Sequence, residues 1–92
     1  TNNQNGGTMY AFTILIAHQD DGNLPTLHNQ GDPRNAVLIA NAVSPYTEEM
    51  VVQANTAAEA ATTAYSVLAK DGQAPTDANG TDTGWRFAVV AL

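Results

Sequence analysis

Cysteine is absent from this chain. With it go disulfide staples, zinc–thiolate and iron–sulfur sites, and any thiol nucleophile. Basic residues are nearly absent too: Arg34, Lys70 and Arg86 stand against nine Asp and Glu, for a formal charge of −6. Phosphate backbones are gripped by clustered basic stripes, which three scattered cations cannot form. The net charge repels nucleic acid and anionic membrane surfaces at moderate ionic strength. No apolar run approaches the roughly 20 residues of a bilayer span. Serine occurs only as Ser44 and Ser66, neither in a nucleophile-elbow motif. These absences leave protein, glycan or metal ion as partners, with no nucleic acid, no membrane insertion and no cofactor expected.

The length, 92 residues, suits one domain and one core. A chain of this size hides roughly 60 to 65 per cent of its unfolded surface on folding, so its own core is modest. Residues 1–8 open it with a polar, glycine-bearing stretch that reads as a flexible arm or loop. Met9 to Ala17 is rich in β-branched and aromatic residues and lacks a helical period, which marks a strand. Its faces, Tyr10, Phe12, Ile14, Ile16 and Ala11, Thr13, Leu15, Ala17, are both largely apolar.

From His18 to Arg34 the density of Gly, Pro and Asp argues for a long loop, and loops of that length are usually functional or packed onto something. Asn35 to Val43 reads as a strand, with a short helix capped by Asp32 as the alternative. Ser44 as cap, Pro45 at the first turn and Glu48 and Glu49 close behind predict a helix that runs to about Lys70 and stops at Gly72. Its apolar stripe, Val51, Ala54, Ala58, Ala61, Tyr65 and Leu68, is mostly alanine. Gln73 to Gly84 is a second turn-rich stretch, and Trp85 to Leu92 is another strand with two apolar faces.

The expected architecture is α+β: a small mixed β-sheet of about three strands with one long Ala-rich helix packed across it. One helix covers one face. The other face, equally apolar, is expected to find its cover outside the chain, most simply on another copy.

Candidate chemistry is thin. His18, Asp20, Asp21 and His28 share the long loop, and imidazole with carboxylate is a zinc-type donor set, but the spacing matches no known pattern. Asp77, Asn79 and Asp82 place oxygens as in part of a calcium loop, without the closing glutamate such loops carry; a polar turn at Asn79-Gly80 is the commoner explanation. Glu48, Glu49 and Glu59 read as a solvated helix face. Tyr10, Phe12, Leu15, Trp85 and Phe87 are the residues best suited to an interface. No motif is specific enough to carry a family resemblance.

The balance favours a non-enzymatic structural subunit, such as a virion shell, decoration or fibre protein or an extracellular appendage subunit, that self-associates through strand faces or edges. A small protein- or glycan-binding module acting through loops 18–34 and 73–84 is the first alternative. A small metal-dependent enzyme is the second. The composition, rich in Ala, Thr and Asn and poor in Lys, favours an extracellular or virion setting by association alone.

Overall fold

The computed structural model describes residues 8–24, 26–27, 36–41 and 45–92. It contains strand β1 (Tyr10–His18), a single 3₁₀ turn (Gln19–Asp21), strands β2 (Val37–Ile39) and β3 (Glu48–Ala54), helix α1 (Ala57–Lys70) and strand β4 (Trp85–Val90). The strands form one mixed sheet in the order β2-β4-β1-β3. β1 runs antiparallel to both its neighbours, while β2 runs parallel to β4. The fold is α+β, as the sequence indicates, with four strands where about three were expected. Of the arm expected over 1–8, only Thr8 falls within the described residues, and its carbonyl accepts a hydrogen bond from Asn55 Nδ2 at 2.9 Å.

The added strand comes from the segment expected to begin the helix. Glu48–Ala54 alternates with period two: Met50, Val52 and Ala54 turn inward, Val52 and Ala54 being buried, whereas Glu49, Val51 and Gln53 are exposed. The helix starts thirteen residues after Ser44, at Ala57. Thr56 caps it: its Oγ1 accepts from the Glu59 N–H at 3.1 Å, and Glu59 Oε1 reaches back to the Asn55 N–H at 2.7 Å. The stop is where Lys70 and Gly72 placed it. Gly72 adopts φ +71°, and the N–H groups of Gly72 and Gln73 close on the carbonyls of Ala69 and Leu68, a Schellman ending.

Helix α1 lies on one face of the sheet. Its Ala60, Ala61, Ala64 and Leu68 meet Phe12, Ile14 and Ile16 of β1, Val52 and Ala54 of β3, and Phe87 and Val89 of β4. Alanines on the helix let it approach closely, so the bulk of the core comes from the strands.

On the opposite face Leu15, Ala17, Arg86 and Ala88 are buried as well, in the paired positions Leu15↔Ala88 and Ala17↔Arg86. The need for outside cover inferred from the sequence therefore does not extend to this part of the sheet. The chain's own connections lie there: Gly22 packs against the Pro45 ring, and Gln19, Asn23, Leu24 and Thr26 border Arg86. Among the described residues, the large apolar side chains that stay exposed are Met9, Tyr10, Leu38, Val51, Val67 and Leu92.

Candidate functional site

Arg86 is the organising residue of the face opposite the helix. It sits on β4, an inner strand, with only 6% of its surface exposed. A buried guanidinium demands partners, and it has them. Nη1 and Nη2 donate to Asp82 Oδ1 and Oδ2, each at 2.9 Å, a bidentate pair. Nη1 also donates to its neighbour's carbonyl, Trp85 O, at 2.8 Å, and Nη2 to Gln19 Oε1 at 3.4 Å. Asp82 Oδ1 accepts a further bond from the Gly84 N–H at 2.7 Å. The hydrogen bonds from Arg86 hold the Asp82 carboxyl below the usual carboxylate value, with the Gly84 N–H and the Arg86 charge acting in the same direction and burial opposing them. Tyr46 stands close enough to feel the Arg86 charge; burial pushes its phenol up, and its hydroxyl has no partner among the described residues.

This network joins the two loops suspected of function. Gln19 N–H donates to Gly84 O at 2.7 Å, and a polar cleft of about 420 Å³ opens between Gln19, Gly22, Asn23, Leu24 and Thr26 on one side and Asp82 and Arg86 on the other.

His18 ends β1 beside this cleft. Its ring stands edge-on to Trp85, with centroids 5.1 Å apart and planes at 86°. Nδ1 lies 3.3 Å from both the Asp20 N–H nitrogen and Asp20 Oδ2. A single ring nitrogen accepts from the first when bare or donates to the second when protonated, so the two contacts exclude each other. Asp20 points largely to solvent, Asp21 lies on the 3₁₀ turn, and His28 is outside the described residues. Among the described residues no three His, Cys, Asp or Glu side chains come together as a metal would need.

The second candidate set is absorbed by a turn. Asp77 Oδ1 accepts from the Asn79 and Thr81 N–H groups at 2.8 and 3.0 Å, and the turn closes through Gly80 at φ +79°. Asp82 belongs to Arg86. The five residues suited to an interface divide: Phe12 and Phe87 are in the core under α1, Leu15 is buried on the other face, Trp85 is half-buried against His18, and Tyr10 alone is largely exposed. Glu48 and Glu49 are on strand β3 rather than on a helix.

The Arg86–Asp82 pair was not visible as a pair in the sequence, where Arg86 counted only as a scattered cation. The signal available was its position: a charged residue inside Trp-Arg-Phe-Ala-Val-Val, a strand otherwise apolar, has to be paired if that strand is central. No family model matches the chain, no curated protein matches it, and no solved structure does.

Proposed function

We propose that this chain is a non-enzymatic assembly subunit that self-associates through its sheet, in the manner of a virion shell, decoration or fibre protein or an extracellular appendage subunit. The observation that carries this reading is β3. It is a seven-residue edge strand with no further strand beside it among the described residues, exposed at Glu48, Glu49, Val51 and Gln53. An edge of that length presents unpaired N–H and C=O groups, and proteins that stay apart blunt such edges with proline, lysine, a bulge or a covering segment. β3 contains neither proline nor lysine, its only charges are Glu48 and Glu49 at its start, and its register with β1 runs without a break from Tyr10↔Ala54 to Ile16↔Glu48. Val51 adds exposed apolar surface on the face of this edge strand opposite the helix.

The polar cleft beside Arg86 favours a second reading, a binding module that takes a small polar group or a peptide between the 19–26 and 82–86 segments. Absolute molar mass by light scattering after size exclusion, at two concentrations, separates the two. A mass of several chains supports the assembly subunit; a monomer at high concentration withdraws it in favour of the binding module.

A further inference from the structure

Resting on the self-association reading, we infer that two copies join edge to edge through β3, antiparallel about a two-fold axis at Val51, to make one continuous eight-stranded sheet. The sheet has two edges, and they are unequal. β2 offers three residues and β3 offers seven. Joining β2 of one copy to β3 of the next would extend without closing but would be limited to the shorter strand; β3 on β3 uses all seven positions and closes.

The register follows from side-chain chemistry. A two-fold perpendicular to the sheet keeps both helices on one side and requires each residue to meet one of its own face. Centred on Val51, Glu48 lies opposite Ala54, Glu49 opposite Gln53, Met50 opposite Val52, and Val51 opposite its own copy. Every acidic side chain then faces a neutral partner, while Met50 and Val52 extend the apolar row on the helix side. Sliding by four residues sets Glu49 against Glu49, a like-charge pair that opposes the contact, and shortens the overlap. β3 is thus self-complementary in its longest register. Val51, at 61% exposure, is the residue whose side chain that register covers with its twin.

Because the chain contains no cysteine, single cysteines report this geometry directly. Val51→Cys, oxidised mildly, should form a disulfide-linked dimer, since opposed residues in an antiparallel pair bring their Cα atoms to about 5 Å. Gln53→Cys should not, because in this register the two copies of that position stand about 14 Å apart. Val51→Lys, at an exposed site the fold tolerates, should return a monomeric mass with an unchanged circular dichroism spectrum. If the native chain is multimeric while Val51→Lys leaves its mass unaltered and Val51→Cys fails to cross-link, the β3 pairing is wrong and self-association through another surface stands. Equal cross-linking at 51 and 53 also overturns the register. A native chain that is monomeric at all concentrations overturns both readings.

Discussion

Arg86 and Asp82 meet through two parallel hydrogen bonds of 2.9 Å, with the guanidinium buried in the sheet and the carboxylate at its margin. They are four residues apart, but on no helix: the chain turns at Thr83 and Gly84 and delivers Asp82 back over the start of β4. Gly84, at φ +86°, makes that turn possible, and its N–H completes the carboxylate's bonding. One short turn therefore neutralises the only described charge inside the β4 ladder and ties it, through Gln19, to the loop after β1.

Removing the carboxylate should be costly. Asp82→Asn removes the carboxylate charge from the bidentate pair with the buried guanidinium, and we expect a loss on the order of 2 to 3 kcal/mol, less than for a fully buried pair because one-third of the Asp82 side chain is open to solvent. The pH dependence gives the sharper check. The folded Asp82 carboxyl titrates below its unfolded value, so its stabilisation is fully present above the usual carboxylate range and is lost as pH falls through the folded value. Urea midpoints measured from pH 7 down to pH 3 should fall for the native chain and fall less for Asp82→Asn. Identical slopes would show that the pair contributes nothing to acid sensitivity.

Tyr46 presents the converse case. Its hydroxyl is enclosed beside Arg86 with no partner among the described residues, which carries the desolvation cost without the bond. Tyr46→Phe should leave stability unchanged or raise it by up to about 1 kcal/mol. A clear drop in melting temperature would mean that the hydroxyl is bonded in solution.

Replacing Gly84 should be costly. A Cβ there would lie 2.8 Å from His18 Nε2, and the positive φ disfavours any L side chain. Gly84→Ala should cost about 1 to 3 kcal/mol and push the His18 ring from its edge-on seat against Trp85. Trp85 is the only tryptophan, so its fluorescence reads that displacement. Native stability and an unchanged emission maximum would sink the prediction.

How much of this was legible beforehand follows from which signals were local. β1 and β4 were readable because their β-branched and aromatic residues run without a helical period, and the end of α1 was readable from Lys70 and Gly72. The start of α1 was not, because Ser44-Pro45 and two glutamates imitate a helix opening and Val51 and Ala54 fall at a helical spacing. Thr56-Ala57-Ala58-Glu59 was the better cap signature, placed directly before the alanine run. The candidate site was less legible still. The approach of Gly22 to Pro45 and of the 19–26 segment to Arg86 are long-range contacts between connections and a strand, and no periodicity encodes them.

Burial on the face opposite α1 changes what Leu15 can report. On an outward apolar face, Leu15→Asp would block assembly and spare the fold. Leu15 is instead 4% exposed within a single chain, paired with Ala88 in the centre of the sheet. An aspartate there buries a carboxylate with no partner and removes packed volume, a combined loss on the order of 4 kcal/mol or more, comparable with the whole stability of a domain this small. The variant should therefore lose its cooperative thermal transition altogether, whatever its state of association. If Leu15→Asp keeps a native spectrum and melts cooperatively, then Leu15 is not enclosed in solution, and the face opposite α1 becomes available to a second copy after all.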